Sequence, residues 1–385
     1  MFSENQKISV RQMTRLLVYD MIGISTLMLP AFLAKLLGQD GIFALLLALL
    51  PAFLVVWFLE RSVAGSWKDF GAHMRRMPLW LRIPVLVFYI CEGVLTAGYG
   101  VYLLGDLVLQ HLLPDETYWL VVFILILLGG YGIWRGIEGR ARVYEILFWI
   151  LMAPLLLMLL LAAKDVDTWY WTPVFSHDLW SLLRGTGIVF LFYLIVIFAF
   201  FLTPYLQDSR QLGNGCRKSL LIAAGVNGAV YLVLLGNFGT GALAEMPYAV
   251  IDLMSMVKLP GGFFERQDAF MVAIWFFTLY AFINTDMFYA SDILRFLAKG
   301  RAAGTGQDKT DEKEGQQEAV QSEKILQFWT VAAVMALTFG VAAVLYLSMQ
   351  WREYFYYFQM WAGAPLFILI LLGLQWGGRR TDHEA

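Results

Sequence analysis

Charge is what this chain has least of. Only 15% of its 385 residues are Asp, Glu, Lys or Arg, where a soluble domain carries about 25%. Cysteine is scarcer still: Cys91 and Cys216 are the only two, which excludes a disulfide framework and a thiolate zinc site. The four histidines, His73, His111, His177 and His383, fall in loops or at span ends. No H-E-x-x-H, Walker loop or G-x-S-x-G is present, so no enzyme activity and no cofactor are expected. A formal net charge of -2 offers no basic surplus, so no nucleic-acid partner is expected either. The opening MFSENQKIS has no apolar core; a cleavable signal peptide is not expected, and the first span serves as an internal signal.

What fills the chain is apolar: 59% of residues are hydrophobic and 16% aromatic. Runs of about 20 residues, enough to cross a bilayer, recur along its length. The chain therefore reads as an all-α polytopic membrane protein whose surroundings are membrane lipid. Ten spans are expected, at 10–35, 41–60, 80–110, 117–136, 142–163, 179–206, 218–241, 266–297, 325–348 and 354–376. They form one transmembrane domain over 1–298 and 325–376, interrupted by 299–324. That interruption, KGRAAGTGQDKTDEKEGQQEAVQSEK, has too few apolar side chains to fold alone and is expected to be a disordered cytoplasmic linker. Residues 377–385 form a cytoplasmic tail. With both termini inside, only Lys35, Lys164, Arg184, Lys258, Arg266 and Arg352 of the 28 basic residues fall outside. That asymmetry satisfies the positive-inside rule.

Polar residues at membrane depth are costly, so those present point to protein-lined cavities. In span 1, Asp20 and Gly23 share a face, Gly23, Ile24 and Ser25 suit a break, and Pro30 removes a ladder donor. A break would free N–H and C=O groups for a solute; the alternative is a simple proline kink with Asp20 near the interface. Span 6 carries Gly185, Thr186, Gly187 and Thr203-Pro204, which pairs it with span 1 in a five-plus-five arrangement. Its middle, FLFYLIVIFAFF, is uniformly apolar. The expected pocket lies between spans 1, 3, 6 and 8, lined by Gly23, Ile24 and Ser25 with Tyr193 opposite. Glu92 in span 3 either relays protons or pairs with an arginine. In span 8, Asp286 follows Asn284 and Thr285 and is expected to face a wet interior. Glu138, Arg142 and Glu145 are expected to form a polar cluster at the inner end of span 5. Between spans 7 and 8, Pro247 and Pro260 bracket a segment too short to span, either re-entrant or lying on the surface. Glu265, Arg266 and Asp268, after two glycines, would organise an external gate there.

Four stretches carry a family likeness: ISVRQMTRLLVYDMIGISTLMLP with GQDG, RGIEGRARVYEILF, TPYL, and MPYAVIDLMSMVKLPGGFFERQDAFMVAIW. Through them the chain resembles the GerB-type spore germination permeases, the B subunits of nutrient-germinant receptors, in the amino acid–polyamine–organocation superfamily. The resemblance implies a LeuT-like 5+5 inverted repeat with helices 1 and 6 discontinuous and a solute pocket between them. It implies a sensor of a small-molecule germinant, usually an amino acid. The implied partners are an A-type membrane subunit and a C-type lipoprotein in the inner spore membrane. A working amino-acid or cation-coupled permease of the same fold is the alternative.

Overall fold

The computed structural model describes residues 7–64, 74–75, 77–257, 267–302, 312–359, 363 and 365–366. Among these residues the structure is helical, apart from turns and one isolated bridge between Ile8 and Leu206. Lipid offers backbone groups no partner, and helices satisfy those groups within each segment.

Span 1 is α1 (Val10–Leu37), begun by a capping box in which Ser9 and Gln12 satisfy each other's backbone N–H. Span 2 is α2 (Gly41–Leu47) with α3 (Leu49–Ala64). Spans 3, 4 and 5 are α4 (Leu79–His111), α5 (Tyr118–Trp134) and α6 (Gly136–Ala162). Span 6 is α7 (Leu179–Tyr193), a 3-10 stretch (Leu194–Phe198) and the short α8 (Ala199–Leu202). Span 7 is α9 (Leu212–Glu245), followed by α10 (Ala249–Met256). Span 8 is α11 (Gln267–Ala302) and span 9 is α12 (Glu312–Leu347). The tenth expected span opens with α13 (Met349–Phe358) and otherwise lies outside the described residues. Six of these segments are long and apolar enough to cross a bilayer by length and composition, and α5 is a shorter apolar helix.

The core is built around α1 and α11. α1 packs on α9, α11, α6 and α7, while α11 packs on α4 as well. The periphery is apolar on its outer side: on α6, Ile146 and Leu160 are each 69% exposed. Such apolar outer faces suit contact with lipid, in keeping with the composition.

Three sequence expectations are corrected here. The first is the break in span 1. α1 is helical throughout, with Pro30 inside it and no non-helical residue. Side-chain bonds hold it on several sides: Ser25 Oγ donates to Asn227 Oδ1 at 2.9 Å, and Trp275 Nε1 donates to Thr26 Oγ1 at 3.0 Å. Those fixed points offset the one backbone bond that proline removes. Span 6, by contrast, does leave α geometry, but over Leu194–Phe198 in its apolar middle rather than at Gly185–Gly187, which stay helical. The second concerns span 5, which starts six residues earlier than 142. Gly136 adopts φ 73°, which lets α5 turn directly into α6. The third concerns 299–324, whose described ends, 299–302 and 312–324, are helical continuations of α11 and α12. Lys299 and Glu323 form an ion pair between those ends.

The segment between spans 7 and 8 is resolved in favour of burial as far as it is described. α10 buries Ala249, Val250, Ile251, Leu253 and Met254 against α11, α1 and α9. Glu265 and Arg266, and the Asp268 side chain, lie outside the described residues.

Candidate functional site: an acid-floored cavity between the spans

Three consecutive residues of span 8 point in three directions. An α-helix turns about 100° per residue, so neighbours cannot share a face. Asn284 Nδ2 donates to the Gly129 carbonyl of span 4 at 2.9 Å. Thr285 faces span 1, where its hydroxyl lies 2.9 Å from each carboxylate oxygen of Asp20. Asp286 faces a cavity of about 640 Å³. The cavity is of a size that suits a small ligand, within about 300–1,000 Å³.

The cavity wall comes from the expected spans and one more. Span 1 gives Ile24, Met28, Phe32 and Lys35; span 3 gives Glu92, Thr96 and Tyr99. Span 6 gives Ile188, Leu191, Phe192, Leu194, Ile195 and Phe198, and span 8 gives Phe282 and Asp286. Glu353, Phe355 and Gln359, at the start of span 10, complete it. Lys35 lies about three turns from Ile24 along α1, so the acids sit deep and Lys35 marks the far end. Tyr99 stacks on Phe355 with centroids 4.6 Å apart on the cavity wall.

Below the acids the spans close. Tyr289, one turn past Asp286, stacks on Phe198 at 4.8 Å and leans on Phe201 at 5.4 Å. Tyr205 Oη then donates to Asp292 at 3.1 Å. Ile8 N donates to the Tyr205 carbonyl at 2.7 Å and Lys7 Nζ to the Pro204 carbonyl at 2.7 Å. The chain before span 1 is thereby tied to the end of span 6.

Of the expected pocket residues, Ile24, Glu92 and Asp286 line the cavity. Gly23, Ser25 and Tyr193 do not. Gly23 is pressed on span 8: a Cβ there would lie 2.9 Å from the Thr278 carbonyl carbon and oxygen. Ser25 is spent on Asn227, and Tyr193 is fully buried away from the cavity. An unbroken span 1 turns only one face inward, and Gly23 and Ser25 lie off it.

The expected cluster at the inner end of span 5 divides in two. Glu138 and Arg142 form the i,i+4 ion pair. Glu145 instead accepts from Arg11 at 2.5 Å, Arg15 at 3.0 Å and Gln12 Nε2 at 2.9 Å. It therefore joins span 5 to span 1.

The residue that sequence reasoning misplaced is Arg140. The early start of α6 puts it on the inward face, 5% exposed, rather than in a loop. Its Nη2 donates to Thr285 Oγ1 at 2.7 Å, and its guanidinium lies 5.6 Å from the Phe288 ring centroid. Arg140, Thr285 and Asp20 thus form one buried chain across spans 5, 8 and 1. An ionised Asp20 at this depth is tolerable only with such a counter-charge. The Gly136 turn was the available signal, because a glycine between two apolar runs permits a direct helix-to-helix corner.

Among the described residues no group of His, Cys, Asp and Glu is arranged to hold a metal ion. The arrangement is a closed-bottomed, largely apolar chamber with two acids on its floor, inside a helical membrane bundle. Such a chamber inside a helical membrane bundle has the form of a candidate solute site.

Comparison with known proteins agrees with that class. The fold is similar to a Na+-coupled sialic acid symporter solved in a substrate-bound outward-open state. Their TM-score is 0.60 at 15% identity, covering 94% of this chain and 78% of that one. The family model described as "Spore germination protein" matches residues 7–299, and the chain belongs to that family. Among its relatives is spore germination protein YndE of Bacillus subtilis (strain 168). It is 23% identical over 303 residues, which are 76% of this chain and 81% of that protein. Spore germination protein B2 of the same organism is 23% identical over 294 residues, 71% and 75% of the two chains. The protein is therefore a multi-pass, germination-related membrane protein of transporter fold, and its relatives are not enzymes.

Proposed function

We propose that this chain is the nutrient-sensing subunit of a spore germination receptor. It takes a small germinant, an amino acid by the family resemblance, into the cavity between spans 1, 3, 6, 8 and 10. Occupancy is passed on through the 3-10 stretch of span 6, which forms one wall and leads through α8 to the Ile8–Leu206 bridge. A mid-helix 3-10 stretch is a common hinge. The receivers are an A-type membrane subunit and a C-type lipoprotein, in the inner spore membrane, with both termini cytoplasmic.

The observation that carries this reading is Asp286, fully buried yet facing a chamber of ligand size. Germination of spores lacking this chain, tested against a panel of nutrients, checks it. At least one nutrient response is lost in those spores and returns with the wild-type chain. Asp286→Leu inserts normally, because removing an acid eases insertion, and does not restore the response. Normal germination of the deletion strain with every nutrient overturns the reading.

A working permease is the second reading, favoured by the likeness to a substrate-bound symporter. Solute uptake into vesicles containing this chain alone separates the two.

A further inference from the structure

The stretch GQDG at 38–41, part of what carries the family likeness, takes no part in the cavity wall. Each of its four residues holds something else. Gly38, at φ 48°, turns the chain out of α1, and its carbonyl accepts from the Tyr231 hydroxyl of span 7. Gln39 Nε2 donates to the Thr172 carbonyl at 3.2 Å. Asp40, 3% exposed, accepts from the backbone N–H of Phe175 at 2.6 Å, Ser176 at 2.8 Å and His177 at 3.0 Å. The Ser176 hydroxyl at 3.3 Å and His177 Nδ1 at 3.1 Å lie against the same carboxylate. Gly41 leaves the room that the Tyr231 ring fills.

The segment held in this way is the strap that leads from span 5 into span 6. Its earlier part is fixed to span 7: Asp167 N donates to the Gly236 carbonyl at 2.9 Å and Trp171 Nε1 to the Leu232 carbonyl at 3.1 Å. Its last residue, His177, is followed directly by Asp178, the N-cap of α7. α7 itself packs on α1 and α2, and Gly185 admits the Leu37 side chain. A shift of α7 as a body must therefore break the Asp40 bonds or carry spans 1, 2 and 7 with it. From Leu194 to Leu202 the chain carries only apolar side chains, and over Leu194–Phe198 its backbone has left α geometry.

We infer that Asp40 is a positioning residue. Through the strap it fixes the first half of span 6 to spans 1, 2 and 7, and it leaves the cavity wall from Leu194 onward as the part of span 6 free to move. Ile188, Leu191 and Phe192 on α7 are then the fixed side of that wall, and Leu194, Ile195 and Phe198 the yielding side. A carboxylate suits the task because it accepts several N–H bonds at once, and charge-assisted bonds are about twice as strong as neutral ones. The consequence for signalling rests on the sensing reading: occupancy is passed on by the second half of span 6 alone.

The test is amide hydrogen exchange of the full chain in nanodiscs, with no nutrient added. In the wild type, residues 175–186 are expected to exchange more slowly than 194–198. Asp40→Ala is expected to speed exchange at 172–186 by about tenfold or more, with 194–198 and the other spans unchanged. Asp40→Asn keeps one acceptor oxygen and is expected to fall between the two; it decides the matter if the alanine variant does not fold. A residue of only general structural value would instead speed exchange in every span together. That uniform pattern overturns the assignment, as does unchanged exchange at 172–186 in both variants, or wild-type exchange at 194–198 as slow as at 175–186. No nutrient enters these measurements, so the sensing reading stands or falls separately, on germination of the deletion strain.

Discussion

Span 1 and span 6 each combine glycine, a hydroxyl residue and proline, yet they fold differently. Span 1 is a single α-helix from Val10 to Leu37 with Pro30 inside it. Span 6 runs as α-helix to Tyr193, tightens to 3-10 geometry over Leu194–Phe198, and resumes α geometry at Ala199. The difference lies in their neighbours. Around its polar positions span 1 is fixed by Asn227, Trp275 and Thr285, and Gly23 is pressed onto the span 8 backbone. The middle of span 6 carries only apolar side chains, one side of them facing open cavity. Nothing there holds a carbonyl in α register against a competing i→i+3 bond. A breaking sequence produces a break only where packing leaves the backbone free to choose. In this protein span 1 is the continuous helix and span 6 the interrupted one.

The comparison is broken most severely at Arg140. Arg140→Leu leaves Asp20 buried without its counter-charge, with an expected cost of about 3–5 kcal/mol. Thermal melting in detergent reads the loss, and adding Asp20→Asn recovers part of it. Wild-type melting of the single variant would mean that span 1 is not held through this chain. Gly23→Ala comes next. Its Cβ meets the Thr278 backbone at 2.9 Å, so either span must shift, at about 1–3 kcal/mol. The same melting assay measures it.

Span 6 should respond in function more than in stability. Phe198→Leu conserves apolar bulk, so its cost is less than about 1.5 kcal/mol. It removes the ring stacked on Tyr289, where the cavity floor meets the 3-10 stretch. The half-maximal germinant concentration is expected to move while the melting temperature barely does. The reverse pattern would give span 6 the same structural part as span 1.

The smallest effect is at the start of span 6. Asp178 caps α7: the Ser181 hydroxyl, then its backbone N–H, holds the carboxyl below its usual value of 3.8. A depressed carboxyl contributes stability above its unfolded value and loses it as pH falls through the folded one. Asp178→Ala therefore melts slightly below wild type at neutral pH. The two melting curves converge in acid below the ordinary value of 3.8.

Much of this was legible because the bilayer restricts the choices. Apolar runs located the spans, and the buried acids marked the cavity spans: Glu92 and Asp286 line the chamber, and Ile24 joins them. Arg140 was not legible, because an arginine near a span end looks like a loop residue until the Gly136 corner is seen. The loop before span 6 was equally hidden. Asp40, at the far end of span 1, accepts from the backbone N–H of Phe175 at 2.6 Å, Ser176 at 2.8 Å and His177 at 3.0 Å. These partners are more than a hundred positions from Asp40 in the chain, and no local pattern links them.

By itself, the sequence determined that this chain is a helical membrane protein and which acids must hide from lipid. Those follow from one-dimensional quantities: hydrophobic length, and the cost of charge in hydrocarbon. Only the tertiary structure decided that Asp20 meets Thr285 while Asp286 lines the cavity, that span 1 is whole, and that span 6 leaves α geometry at Leu194–Phe198. Each depends on what a neighbouring helix places within about 3 Å, a distance that sequence spacing does not encode.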